Sequence, residues 1–131
     1  MRAVPDLADL TLERFELDGA NLFCARLRGV NRVRDSLANA QSLAERVVRE
    51  QRDAIILDYS QCALEHTLEE FVRVGGVFAE HMPRHVRMSY VYGPSNMMHA
   101  VYMTKMLYQA GFKARAFDNW DDAERFARGT D

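Results

Sequence analysis

The chain has 131 residues, 48% of them hydrophobic and 27% charged, the size of one globular domain able to bury a sizeable core. Its net charge is -2, with Lys and Arg spread along the chain, so there is no electrostatic footprint for a nucleic-acid backbone and nucleic acid is not an expected partner. Met1 to Asp6 form no apolar run before the charges at Asp9, Glu13 and Arg14, so neither a signal peptide nor a membrane-inserted segment is expected, and the reading is a soluble, cytoplasmic protein.

Leu12–Leu17 and Leu22–Leu27 read as two strands, and Asp18-Gly19 between them is a hairpin signal because Gly accepts positive φ. Asn31 is placed to cap a helix whose apolar positions Val33, Leu37, Ala40, Leu43, Ala44, Val47 and Val48 recur at helical spacing. Arg34, Gln41, Glu45 and Arg49 lie on its other side. Ala54 to Tyr59 follows as a strand apolar on both faces, as an interior parallel strand covered by helices would be.

Thr67 with Glu70 makes a capping-box pattern for a second helix carrying Leu68, Phe71, Val72, Val74, Phe78, Ala79 and Met82. Gly75-Gly76 in its middle costs about 1 kcal/mol per glycine and marks either a close helix contact or a bend. Pro83 closes that helix, Val86–Tyr92 reads as the fourth strand, and Ser95 or Asn96 can cap a third helix, Met97 to Ala110, stopped by Gly111. Lys113–Phe117 is the fifth strand, and Asn119 caps a last helix with Trp120, Ala123, Phe126 and Ala127.

The order is therefore ββαβαβαβα in a single α/β domain spanning residues 1–131. Right-handed crossovers build a mixed, mostly parallel five-stranded sheet with about four helices. Only the segments before about Leu10 and after Arg128 are expected to be loose.

Ligands and partners of alternating α/β chains dock at the carboxyl ends of strands and the helix N-termini beyond them, which directs attention to Asp58 through Glu70. Cys24 and Cys62 fit no metal or redox spacing and read as buried thiols. His66, His81, His85 and His99 are too scattered for a local metal motif. No cofactor and no metal site is expected.

The opening hairpin, the Ile55–Asp58 strand and the ending Phe117-Asp118-Asn119-Trp120-Asp121-Asp122-Ala123-Glu124-Arg125-Phe126 resemble the STAS domains, the fold of bacterial anti-sigma-factor antagonists, and in particular the divergent SpoIIAA-like group. The resemblance spans most of the chain. It implies a non-enzymatic regulatory module that binds a protein partner, a regulatory kinase or an anti-sigma-like factor. In those antagonists a strand-ending Asp is followed about nine residues later by a phosphorylatable Ser at a helix N-terminus. From Asp58 that position is Thr67, a possible phosphosite, but His66 stands in place of the family's Asp and Leu68-Glu69 in place of Ser-Gly. A phosphate on Thr67 would meet free helix N–H groups and also Glu65, Glu69 and Glu70.

In the third helix Ala100, Met103, Met106, Leu107 and Ala110 share the face that docks on the sheet, whereas Met98, Val101, Tyr102 and Tyr108 project elsewhere. This surplus predicts a homodimer or partner interface, unless the loop before the helix or the segment Val4 to Leu10 covers it. The expected partner-binding set is thus Asp58, Ser60, His66, Glu69, Met98 and Tyr102. Two readings from other classes stand beside it. One is a carrier or sensor of a small apolar ligand held between helices and sheet. The other is a small hydrolase or transferase using Ser60, Cys62 or His66, for which no GxSxG-type element is present; in the first reading Ser60 caps a turn and His66 lies at the surface.

Overall fold

The computed structural model describes residues 10–130. Strand β1 (Thr11–Glu16) pairs antiparallel with β2 (Leu22–Asn31) through the expected hairpin, where Gly19 adopts φ +76°. Helix α1 (Val33–Glu50), strand β3 (Ala54–Leu64), helix α2 (Leu68–His81), strand β4 (Arg87–Val91), helix α3 (Met97–Gln109), strand β5 (Ala114–Phe117) and helix α4 (Trp120–Arg128) follow in that order. The sheet order is β1-β2-β3-β4-β5, and every pair after the hairpin is parallel.

Each crossover steps to the next strand in the same direction, so right-handedness puts α1, α2 and α3 on one face. Their buried residues, among them Leu43, Phe71, Val74 and Met103, share a core with Phe23, Ile55, Leu57 and Tyr90 of the sheet. Helix α4 covers the other face, where Ala123 and Ala127 pack with Leu22, Cys24, Ile56 and Val91. Strand alternation sorts β3 between the two: Ile55 and Leu57 face α1–α3, Ile56 and Asp58 face α4.

Local chemistry accounts for the helix ends. Glu70 N donates to Thr67 Oγ1 at 3.0 Å and Thr67 N donates to Glu70 Oε1 at 2.9 Å, the capping box read in the sequence. Asn119 accepts from Asp122 N at 2.9 Å to start α4. The two glycines of α2 separate: a Cβ on Gly75 would collide with Met103 Sδ and Met106 Cε, so Gly75 is the close contact with α3, whereas Gly76 faces open space. Cys24 and Cys62 are buried thiols, both pushed up to about 12 chiefly by desolvation.

Three local expectations are corrected. Asn31 is the last residue of β2, not a helix cap; Arg32 holds the cap position of α1, and its side chain makes no capping hydrogen bond to the helix. Strand β3 runs five residues beyond Tyr59, because a bulge breaks the period-2 pattern there. The chain after Arg128 is not loose through Thr130: Gly129 takes φ +77° and Thr130 N bonds to Arg125 O at 3.0 Å, closing α4. The segment before Leu10 lies outside the described residues.

Candidate functional site

The bulge decides what the end of β3 presents. Arg26 pairs with Asp58 and Arg28 with Gln61, so Tyr59 and Ser60 together oppose the single Leu27. The extra residue keeps both Tyr59 and Cys62 on the α1–α3 face. The loop before α3 clasps this irregular backbone. Asn96 Nδ2 donates to Tyr59 O and Cys62 O, each at 2.8 Å, and Gly93 N donates to Asn96 Oδ1 at 2.8 Å. A Cβ on Gly93 would fall 2.7 Å from Ser60 O, so only glycine allows this approach. Asn96 stands at the cap position of α3, but its side chain is spent on the bulge and not on the helix.

On the α4 face Asp58 is buried. Its Oδ2 accepts from Arg26 Nε at 2.9 Å, and its Oδ1 accepts from Ser60 N at 2.9 Å and Ser60 Oγ at 2.6 Å. The Arg26 guanidinium lies 5.0 Å from the Phe15 ring centre and 5.1 Å from that of Trp120. Asp58 and Ser60 are therefore occupied in holding the β1–β2–β3 corner to the start of α4. Ser60 binds its carboxylate neighbour from within the strand; it does not cap a turn.

On the opposite face His66 is buried, contrary to its expected surface position. The Ser36 hydroxyl donates to Asn31 Oδ1 at 2.9 Å, so His66 Nε2 donates to Ser36 Oγ at 2.8 Å, and His99 Nε2 donates to the carbonyl of His66 at 2.8 Å. Phe71 meets both imidazoles edge-on, with centroids at 5.4 and 5.5 Å. Burial, and next the neighbouring His99, hold the pKa of His66 below its ordinary value, against the opposing pull of Glu70 and Glu65. Ser60 and His66 thus sit in separate networks on opposite faces, and the nucleophile and base of a hydrolase are not brought together. Among the described residues no three His, Cys, Asp or Glu side chains are grouped to hold a metal ion.

What remains accessible is a rim. Glu65, Thr67 and Glu69 are exposed at the entry to α2, with Glu65 paired to Arg32 at 3.3 Å. Beside α2 runs α3, whose Ala100, Met103 and Leu107 are buried while Met97, Met98, Val101, Tyr102 and Tyr108 stay exposed. Leu10, where the described chain begins, lines a cavity of about 580 Å³ with Asp35 and Asn39 of α1, at the β1 edge of the sheet and away from α3. Val4 to Asp9, which belong to one expected cover for α3, lie outside the described residues. The space between the helices and the sheet is filled by Phe71, Met103 and Tyr90, and the 340 Å³ depression bordering α3 is an open groove at its outer side.

A solved structure described as an anti-sigma factor antagonist from Mycobacterium paratuberculosis superposes with a TM-score of 0.64 at 15% identity, covering 97% of this chain and 99% of that one. The fold is SpoIIAA-like. A second SpoIIAA-like structure, an uncharacterized protein of the DUF3478 family from Shewanella loihica PV-4, superposes with a TM-score of 0.60 at 10% identity, over 96% of this chain and 99% of that one. No protein-family model and no curated protein matches the chain. Among the described residues no helix is long and apolar enough to cross a membrane.

Ser36, Arg26 and His99 belong to the two networks and were not singled out from the sequence. Each acts through a partner at least five residues away, up to 33 for His99 and the His66 carbonyl, so no local pattern carried a signal. Asn31 and Asn96 were marked, but for capping roles.

Proposed function

We propose that the chain is a non-enzymatic protein-interaction module of the antagonist type, whose working surface is the rim of Thr67 and Glu69 together with Met98 and Tyr102 of α3. One observation carries this reading: of the six large hydrophobic side chains exposed among the described residues, five lie on α3. Exposed Met and Tyr supply large contact area with adaptable shape, and the SpoIIAA-like fold of a protein described as an anti-sigma factor antagonist makes a protein partner the natural occupant. A regulatory kinase or anti-sigma-like factor in the cytoplasm is the partner class this implies.

Thr67 is the residue of this rim at which phosphorylation would act. Its hydroxyl already serves the N-terminus of α2, and Glu70 occupies the N–H that a phosphate would seek. A dianion there would displace Glu70 and crowd Glu65 and Glu69, so modification weakens the surface rather than building it. In this reading His66 supports the rim from beneath, Asp58 and Ser60 lie on the opposite face of the sheet, and none of the three touches the partner.

Affinity capture from the native host with Tyr102→Glu as comparison tests the reading. A protein retained by the wild type drops at least tenfold on Tyr102→Glu and not on Val48→Glu, an equally exposed residue of α1. Equal retention by Tyr102→Glu contradicts it.

A further inference from the structure

The polar cluster under the entry to α2 is incompletely paired. His66 is 6% exposed and Asn31 is fully buried, and among the described residues His66 Nδ1 and Asn31 Nδ2 have no hydrogen-bond partner. Both side chains depend on one hydroxyl: Ser36 Oγ lies 2.9 Å from Asn31 Oδ1 and 2.8 Å from His66 Nε2. Buried polar groups are normally paired, so two orphans in one cluster mark an arrangement that water would satisfy better.

The same cluster joins three helix starts. Ser36 lies in the first turn of α1, and His66 precedes the Thr67 cap of α2. His99, in the first turn of α3, donates from Nε2 to the His66 carbonyl at 2.8 Å. Phe71 stands edge-on to both imidazoles. Displacing His66 therefore frees the start of α3 from the start of α2, where Thr67 and Met98 are its neighbours and those of His99 in sequence.

A proton selects between the two arrangements. Nε2 already holds the hydrogen given to Ser36, so a proton from solvent adds to Nδ1, where it finds no acceptor. The acids facing the ring are engaged: Glu65 pairs with Arg32 at 3.3 Å and Glu70 accepts from Thr67 N at 2.9 Å. The facing group of α3 is His99, which opposes a positive charge, and β2 and α1 contribute the neutral Asn31 and Ser36. A buried imidazolium with an unmet N–H is driven out to water.

We infer that His66 is an acid-operated latch of the rim: on protonation at Nδ1 its side chain leaves the pocket, the tie to His99 breaks, and the starts of α2 and α3 separate while the sheet stays folded. Opening takes up one proton from solvent. The released ring titrates near its ordinary value of 6.5, so acidification from pH 7.5 to 5.5 raises the ratio of open to closed chains by at most about tenfold. The consequence for binding rests on the module reading: a partner spanning Thr67 and Met98 binds the closed form, and proton and partner compete. The opening itself does not depend on that reading.

Native-state hydrogen exchange of the chain alone, corrected for the intrinsic effect of pH, tests the latch. The amides of Glu70, Phe71 and Ala100 bond to Thr67 Oγ1, Thr67 O and Asn96 O. Their protection lies below that of Ile55 and Ile56 in β3 and falls severalfold, up to about tenfold, between pH 7.5 and 5.5. His66→Gln, whose amide can still donate to Ser36, removes the fall. If that variant is unfolded, nitrogen-15 spectra of the wild-type imidazole take its place, and Nδ1 of His66 gains its proton with the same midpoint as the loss of protection. Equal protection of the rim and β3 at both pH values means that His66 is released only by complete unfolding and overturns the inference. Rim protection that ignores pH, a fall that survives His66→Gln, or midpoints that differ also overturn it. Opening that follows His66 in a chain that captures no protein upholds the latch and fails the module reading.

Discussion

His66 Nε2 lies 2.8 Å from Ser36 Oγ, so the residue before the cap of α2 is tied to the first turn of α1 inside the protein. Because the Ser36 proton is given to Asn31, Nδ1 of His66 is the site that would take a second proton, and it has no acceptor among the described residues. The neutral imidazole is the form that fits.

A pH dependence follows. With its folded pKa lowered by burial, His66 binds its proton less readily in the folded chain than in the unfolded one, so stability rises with pH through this window. It is full above the ordinary value of about 6.5 and is lost as pH falls from there toward the lower folded value. Urea unfolding from pH 7.5 to 5 shows a declining midpoint, and His66→Gln flattens the decline. An unchanged slope in that variant assigns it elsewhere.

Asn96 holds three backbone groups of two strands' ends with buried hydrogen bonds. Asn96→Ala leaves the carbonyls of Tyr59 and Cys62 unpaired and costs about 2–3 kcal/mol. Gly93→Ala drives a methyl into Ser60 O and costs about 1–3 kcal/mol. Their effects are non-additive, because each variant loosens the same clasp. Chemical denaturation of the two single variants and the double measures this, and simple additivity would show that the loop and the bulge are independent.

Asp58→Ala removes a buried carboxylate from Arg26 and from Ser60. Loss of one partner of a buried pair costs about 3 kcal/mol or more, and here the lower figure applies because Arg26 keeps 25% of its side chain exposed. Partner capture by the refolded variant stays at the wild-type level per folded molecule, since Asp58 lies on the opposite face of the sheet from the rim. A capture defect out of proportion to the stability loss would give Asp58 the direct role that its sequence position suggested.

Much of the architecture was legible because it rests on local or periodic signals. Asp18-Gly19 announced the hairpin, Thr67 with Glu70 the start of α2, and the apolar periods of α1 and α3 their buried faces. The SpoIIAA-like resemblance, carried by the Ile55–Asp58 strand and the closing Phe117–Phe126 stretch, agrees with the fold. The site was legible only in part. A bulge at Tyr59-Ser60 has no sequence period, so the last five residues of β3 were hidden and with them the separation of Asp58 from His66 onto opposite faces. His66 reads as polar and therefore exposed; its burial depends on Ser36, thirty residues earlier, which no spacing rule connects to it.

Thr67→Ala removes the capping box of an exposed helix start and costs about 1 kcal/mol, whereas Thr67→Ser costs a few tenths at most. Thermal unfolding of both variants distinguishes them. An equal loss for both would mean that the methyl group, not the hydroxyl, carries the contribution.

The most direct test of the account is hydrogen exchange of the chain alone and in complex with the protein captured from its host. Added protection is expected at the start of α2, from Thr67 to Phe71, and along α3 from Met98 to Tyr102. Protection confined to α1 or α4, with α3 unchanged, contradicts the assignment of the working surface.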